Sequence, residues 1–546
     1  MSRTAHVDRF CERNLPPPEQ QPEFRFDLPE LQFPEQLNCA RELLDRWVAQ
    51  GEGARACVSG NAARWSYAEL QTQANRIARV LVEDTGLVPG NRVLLRGANS
   101  PMLAACWLAV VKAGGVAVGS MPLLRAKELT QIVAKAEISH ALCDERLADE
   151  LLLAAPQCPT LKQVLHFHSD APDGLEARAL TKPAQFRNVD TAGTDICLMA
   201  FTSGTTGTPK AAMHGHRDVM AACWCWPRHH LRATRDDVFI GSPPLAFTFG
   251  LGGLLLFPLS IGASSVLLEK ATPDVLPAAI TAHRASVSFS SPTAYRAMAA
   301  NVKAHDLSSL RKSVSAGETL PAATRKLWKD ATGIEMIDGI GSTELLHIFI
   351  SHTDDDARPG ATGKPVPGYT AAILDDELQP LPPGKVGRLA IKGPTGCRYL
   401  ADDRQKQYVQ NGWNLTGDAY LVDQDGWFVY QARTDDMIVS GGYNIAGPEV
   451  ESVLLAHPAV AECGVIGAPD DELGQIVKAF VVLRAGHEAG EAMAKTLQDF
   501  VKQTIAPYKY PRKIEFREAL PRTETGKLQR FRLRAEAAAK NAEAKP

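Results

Sequence analysis

The sequence predicts an α/β protein whose character changes twice along the chain. Strands and amphipathic helices alternate after the first 38 residues, which implies parallel sheets covered by helices. Residues 370 to 430 instead read as short strands separated by PLPPG, NGW and DQDG turns, a smaller and more twisted β unit. Beyond Arg433 a turn, a helix and a few strands read as a separate small domain, with the boundary at Asp435. The expected domains are therefore 1–434 and 435–546.

The elements follow in order. The first 38 residues form an irregular arm. Ser66 with Glu69 makes a capping box, and Leu70, Ala74, Ile77 and Leu81 recur at helical spacing. Arg92 to Arg96 is a short strand, and Pro101 opens a helix that stops at Gly114-Gly115. Val116 to Val118 is a strand, Lys127 to Ala136 a helix and His140 to Cys143 a strand. Ile196 to Ala200 is a buried strand. In the C-terminal part GPEVESVLLAHPAV is helical, Glu462 to Ile466 and Lys478 to Leu483 are strands, and Met493 to Gln503 is a helix. The last dozen residues, rich in Ala, Lys and Glu, read as a frayed helix or disordered tail.

Composition excludes several classes. With 59 basic and 62 acidic residues the net charge is −3, so no global field favours nucleic acid or an anionic membrane. The apolar stretch Leu251 to Leu268 is broken by Gly252, Gly253, Pro258 and Gly262 and does not read as a membrane span. The N-terminus lacks the apolar core of a signal peptide. The 11 cysteines contain no CxxC pair, so they read as core residues of a cytoplasmic protein.

The chemistry concentrates in FTSGTTGTPK, Phe201 to Lys210, directly after the buried strand. Ser203, Thr205 and Thr206 supply hydroxyls, and Gly204 and Gly207 let backbone N–H groups approach a ligand closely. Lys210 adds a point charge. The set suits a triphosphate, although no GxxxxGK[ST] loop occurs in the chain.

This segment resembles the phosphate-binding loop of the adenylate-forming superfamily, which includes acyl- and aryl-CoA synthetases, firefly-type luciferases and peptide-synthetase adenylation domains. The resemblance continues in order through PPLAFTFGLG (243–252), SAGETLP (315–321), DGIGSTE (338–344), GATGKPVPGY (360–369), GWNLTGD (412–418), RTDDMIVSGGYNIAGPEVE (433–451) and PRTETGKLQR (521–530). It implies a large N-terminal α/β/α domain with a β-barrel-like subdomain and a small mobile C-terminal domain hinged at Asp435.

The resemblance also implies roles. Thr206 and its neighbours, with Lys210, would hold the β- and γ-phosphates of ATP, and Glu344 would hold Mg²⁺, a hard cation that wants carboxylate oxygen. Asp338, with Gly339 and Thr343 beside it, would receive the adenine. Asp418 and Arg433 would bind the ribose. Lys527 would neutralise the anions that meet at the α-phosphate. Ser440, Gly441 and Gly442 would pass the pantetheine arm of coenzyme A along the backbone. The sequence departs from the commonest pattern at Ala211, Ala432 and Phe247, without loss of a chemical group.

DGIGSTELLHIFIS and AFTFGLG resemble aryl-CoA ligases that act on benzoates. ERNLPPPEQQPEF, LNCARELLD and MPLLRAKELTQIVAKAEISHALCD resemble 2-aminobenzoate-CoA ligases. The implied acid is 2-aminobenzoate, with benzoate next. Its pocket would be built from Phe247, Thr248, Phe249, Gly317, Gly341, His347 and Ile348, with glycines leaving a flat slot for a ring. Thr248 stands where amino-acid-activating relatives usually carry Asp, which argues against an α-ammonium substrate. Implied partners are the acid, ATP and coenzyme A. A carrier protein is the alternative acceptor, and monomer or homodimer the implied assembly.

Overall fold

A computed structural model describes residues 3–61, 63–202, 209–434, 436–440, 443–470, 473–505, 507–523 and 526–543. Of the residues singled out above, Ser203, Gly204, Thr205, Thr206, Gly207, Asp435, Gly441 and Gly442 lie outside the described residues.

The local signals hold. Ser66 caps the helix Tyr67–Arg79 with Glu69 reciprocating, as the S-x-x-E pattern requires. Pro101 opens Pro101–Lys112, where its missing N–H costs nothing. That helix is apolar almost all round because it is buried on nearly every side. The C-terminal tail is ordered further than expected. Arg530–Glu543 is helical, and Leu533 and Ala537 pack it onto Ile466 and Phe480.

Four sheets organise the chain. The first has the order Gln163–Phe167, His140–Asp144, Arg92–Arg96, Val116–Ser120, Ile196–Thr202, Lys210–Gly215, and is parallel except for its last pair. The second has nine strands. Its centre runs parallel through Met336–Gly341, Lys312–Ser315, Val287–Ser290, Val238–Gly241, Ser264–Leu267 and Ala56–Gly60. Antiparallel strands close both edges, Ile348–Ser351 with Lys364–Pro365 on one side and Arg64–Ser66 on the other. Alternating strand and helix predicts the parallel centres. The antiparallel edges arise where a short connection leaves room only for a reversal.

The third sheet is antiparallel and spans Thr370–Leu374 to Phe428–Arg433, with the five-stranded β unit expected from the turns. The fourth belongs to the small C-terminal domain. The strands Val460–Asp470 and Gly474–Leu483 pair along their length, and Lys513–Phe516 runs parallel to the second. Successive residues of these strands face opposite sides. Val465 joins a core with Val450, Leu454, Leu497 and Val501, while Ile466 faces Leu533.

The carboxyl ends of the parallel strands in the nine-stranded sheet define where a ligand belongs. Ser290, Ser315 and Asp338 lie at that end, with Ser290 paired to Ser315 and Ser315 to Asp338. Gly317 follows immediately, and the small domain brings Lys527 to it: a β-carbon on Gly317 would sit 3.9 Å from Lys527 Cε.

Candidate active site

The site is assembled from all three sheets of the large domain and one turn of the small domain. Lys210 starts the strand Lys210–Gly215. The segment 398–400 adds itself to that strand: Ala212 bridges Tyr399, the Met213 amide donates to the Arg398 carbonyl at 2.9 Å, and the Leu400 amide donates to the Ala211 carbonyl at 2.9 Å. This pairing brings the Tyr399 ring beneath Lys210, whose Nζ is 4.9 Å from the ring centroid. Lys210 Nζ donates to Tyr399 Oη at 2.9 Å, and Tyr399 Oη donates in turn to Glu344 Oε1. Lys210 Nζ lies 3.6 Å from the same carboxylate oxygen. Burial and the neighbouring carboxylate push the Tyr399 phenol far above its ordinary range, so it acts as a fixed donor.

Glu344 is only 7% exposed. Its one hydrogen bond among the described residues, from Tyr399, and its ion pair with Lys210 both use Oε1, and Oε2 takes part in neither. One carboxylate with one uncommitted oxygen beside Lys210 fits Mg²⁺, which binds through one or two carboxylates and substrate phosphates. His214 ties this corner together. Its Nε2 donates to the Thr343 carbonyl at 2.8 Å, and burial lowers its pKa to about 4.

Asp338 lies within Met336–Gly341, at the last residue of its parallel pairing, opposite Ser315. Ser351 Oγ donates to its carbonyl at 2.6 Å. Its side-chain Oδ1 is buried with no partner among the described residues, and desolvation raises the carboxyl to about 7. A buried, unpaired acceptor is what an exocyclic adenine amine would satisfy. The adjoining glycines are demanded by close approach. A β-carbon on Gly339 would come within 2.7 Å of Ile348 Cγ2, and one on Gly341 within 2.8 Å of the His347 backbone.

Asp418 and Arg433 face each other across adjacent antiparallel strands. Arg433 Nη1 donates to Asp418 Oδ1 at 3.2 Å and to the Thr416 carbonyl at 3.1 Å. Desolvation raises the Asp418 carboxyl against the pull of Arg433. Lys527 remains exposed yet is flanked by protein on most sides. That desolvation lowers its pKa, opposed by Glu318, Glu344 and Asp418 and assisted by Arg433. Glu344, Asp418 and Arg433 therefore all lie within electrostatic reach of Lys527. Ser440 is buried at the end of the small-domain strand Ile438–Ser440.

Phe247 caps the short helix Thr248–Leu251 and stays half-exposed, whereas Thr248 is buried. Phe249 packs on Phe289 and on His347, with ring centroids 5.6 and 5.7 Å apart. His347 is enclosed by Trp226, Phe249 and Phe257. Its Nε2 lies 3.4 Å from the Phe249 carbonyl, which can only accept, so the proton belongs on Nε2. Nδ1 is then a lone-pair acceptor, buried and unpartnered among the described residues. Burial lowers the imidazole pKa to about 3, so the ring is neutral. Ile348, next in the chain, is buried against Gly339.

The cysteines are buried and free. Cys39, Cys197 and His216 converge in the core, with sulfurs 4.0 Å apart. His216 Nδ1 accepts from the Cys39 amide at 3.1 Å, so its lone pair anchors the backbone there. Tyr399 carries no sequence signal, because it reaches the site through a long-range pairing. His214, on the strand that Lys210 starts, and Glu318, inside SAGETLP, lie in or beside quoted motifs, but their types alone name no role.

Comparison with known proteins gives the family and the fold. The family model described as AMP-binding enzyme matches residues 44–399, and the AMP-binding enzyme C-terminal domain matches 449–527. Benzoate–CoA ligase of Thauera aromatica is 35% identical over 514 residues, 93% of this chain and 97% of the other. The crystal structure of the anthranilate CoA ligase AuaEII in complex with anthranoyl-AMP superposes with a TM-score of 0.90 at 33% identity, covering 94% of this chain and 100% of that one. A benzoate CoA ligase from Burkholderia xenovorans LB400 gives 0.84 at 31% identity, covering 91% and 100%. Among the described residues no helix is long and apolar enough to cross a membrane.

Proposed function

The chain belongs to the AMP-binding enzyme family as an AMP-forming acid–CoA ligase, and from that premise we propose that its acid is 2-aminobenzoate and its product 2-aminobenzoyl-CoA. In the first half-reaction an oxygen of the aryl carboxylate attacks the α-phosphorus of ATP and diphosphate leaves. In the second the thiol of coenzyme A attacks the activated carbonyl and AMP leaves.

The residues divide this work. Lys210 and residues 203–207 receive the β- and γ-phosphates. Glu344 would hold Mg²⁺, which supplies charge neutralisation on the leaving diphosphate. Asp338, with Gly339 and Thr343, receives the adenine, and Asp418 with Arg433 the ribose. Lys527 stands between substrate carboxylate and α-phosphate, where a cation lowers the repulsion of two anions. Rotation of the small domain about Asp435 would then withdraw Lys527 and bring Ser440, Gly441 and Gly442 to the tunnel for coenzyme A.

The observation that carries the choice of acid is His347. Its neutral imidazole beside Phe249 keeps Nδ1 as an unpartnered acceptor, and the aniline amine of 2-aminobenzoate is a donor in need of one. Phe247, Thr248, Gly317, Gly341 and Ile348 complete the proposed slot. The likeness to an anthranilate CoA ligase supports the same reading. Benzoate is the second reading, favoured by the 35% identical benzoate–CoA ligase. The test is AMP release and thioester formation with ATP, Mg²⁺, coenzyme A and 2-aminobenzoate, benzoate, salicylate or octanoate. Preference for 2-aminobenzoate with 2-aminobenzoyl-CoA as product supports the assignment. Adenylation without thioester points to a carrier-protein acceptor, and preference for octanoate rejects the aromatic acid.

A further inference from the structure

Arg522 and Glu318 meet across the boundary between the two domains. Arg522 opens the turn that carries Lys527. The Thr523 amide donates to the Lys527 carbonyl at 2.8 Å, the Gly526 amide donates to the Thr523 carbonyl at 2.8 Å, and the Lys527 amide donates to Thr523 Oγ1 at 3.0 Å. Arg522 Nη1 donates to the Gly526 carbonyl at 2.6 Å, the residue just before Lys527, and lies 3.5 Å from Glu318 Oε1 of the large domain. Nη2 donates to Glu462 Oε2 at 2.7 Å inside the small domain. Glu318 is held from its other side, where Thr293 Oγ1 donates to Oε2 at 2.6 Å. One guanidinium thus touches the backbone beside Lys527 and a large-domain carboxylate that is already aimed.

We propose that Arg522 and Glu318 form an inter-domain latch that positions Lys527 for the first half-reaction. This rests on the ligase reading above, and it assigns Arg522 as a positioning residue that acts through the Lys527 turn. The pair is modestly exposed, at 27% and 17%, so its strength is that of a partly screened ion pair. Its effect comes from selectivity: the contact joins the domains only in this orientation, so it shifts the domain equilibrium toward the arrangement that adenylates. The same bias opposes rotation to the second arrangement. Weakening the latch therefore slows adenylation and leaves thioester formation unchanged or faster. Glu318 also faces Lys527 electrostatically, which adds a direct effect to the Glu318 variants.

The test uses full-length Arg522→Met, Glu318→Gln and the double variant. Acid-dependent pyrophosphate exchange reads the first half-reaction, and thioester formation from synthetic aryl-adenylate reads the second. Each single variant is expected to lower exchange about tenfold, with the double no lower than the weaker single, as for two ends of one contact. Arg522→Lys restores part of the rate. Glu318→Gln keeps Arg522 bound to Gly526 and Glu462, so a purely local role in the turn would leave it at the wild-type rate. Equal loss of both half-reactions, multiplying effects in the double variant, or unchanged exchange overturns the latch. A wild-type enzyme silent in both half-reactions would reject the ligase reading instead. Hydrogen–deuterium exchange over residues 521–528 then decides the latch by itself: Glu318→Gln should deprotect that turn, Arg522→Met and the double at least as much, and protection unchanged in Glu318→Gln overturns it.

Discussion

The Lys527 side chain lies against Gly317, with Cε 3.9 Å from where a β-carbon on Gly317 would be. Gly317 also holds φ at +91°, which disfavours any side chain. Gly317→Val should therefore displace Lys527 as well as strain the loop, and it should lower pyrophosphate exchange far more than thioester formation from preformed adenylate. Lys527→Ala should do the same more severely, by about 10²–10³ in exchange rate, the cost of removing one preorganised charge. Half-reaction assays on both variants check this, and equal loss of the two steps in Lys527→Ala would contradict the role of the lysine.

Tyr399→Phe removes the donor that links Lys210 to Glu344. A buried carboxylate that loses its hydrogen bond costs roughly 1–3 kcal/mol. The variant should melt lower, and the KM for ATP should rise several-fold with a smaller change in kcat. Calorimetry and steady-state kinetics test the two parts separately. An unchanged KM would mean that the tyrosine serves only the fold.

Asp338 predicts a pH signature. Its carboxyl is raised to about 7 in the fold, so the folded chain holds a proton that the unfolded chain has released above its ordinary range near 3.8. The folded state binds more protons throughout that window, and stability must fall as pH rises through it. The contribution is full below the unfolded value and lost above about 7. Asp338→Asn avoids the buried charge. It should melt higher than wild type at pH 8, with the gap closing toward pH 4, while weakening discrimination for adenine over guanine nucleotides. Melting curves across pH without such convergence would reject the unpaired-acceptor account.

His347→Phe keeps the aromatic enclosure of Trp226, Phe249 and Phe257 but removes the Nδ1 acceptor. It should reduce the kcat/KM preference for 2-aminobenzoate over benzoate by about tenfold, one hydrogen bond's worth of discrimination. Because the imidazole is neutral well below physiological pH, the wild-type preference should be flat from pH 6 to 8. A preference unaltered in the variant would return His347 to a packing role.

The parts legible in the sequence were those with local signatures. Ser66 and Glu69 announce a helix start because the capping box is a contact between residues three apart. Asp418 and Arg433 were named separately from their motifs, and the antiparallel register of two strands joined by a short turn then explains why they meet. Tyr399 was out of reach. It enters the site only because residues 398–400 pair with a strand almost 190 positions earlier, a partnership that no periodicity encodes. The Arg522–Glu318 contact hides for the same reason, being 204 residues apart. His347 is legible in the sequence only as a residue of the DGIGSTELLHIFIS segment, and its burial with one orphaned nitrogen emerges only from the packing around it.

The strand Ile196–Thr202 that leads into residues 203–208 is followed by an antiparallel neighbour, Lys210–Gly215, and not by a helix. Where a glycine-rich turn opens onto a helix, the helix end lends an anion roughly half a positive charge that cannot be removed. A hairpin has almost no net dipole along its length. On the proposed reading, attraction for diphosphate would then rest on Lys210, on loop backbone N–H groups and on the cation that Glu344 would hold, with no helix dipole added. Product departure should follow from the same arrangement: with no helix dipole to retain the diphosphate, its off-rate is expected to depend on ionic strength and free metal.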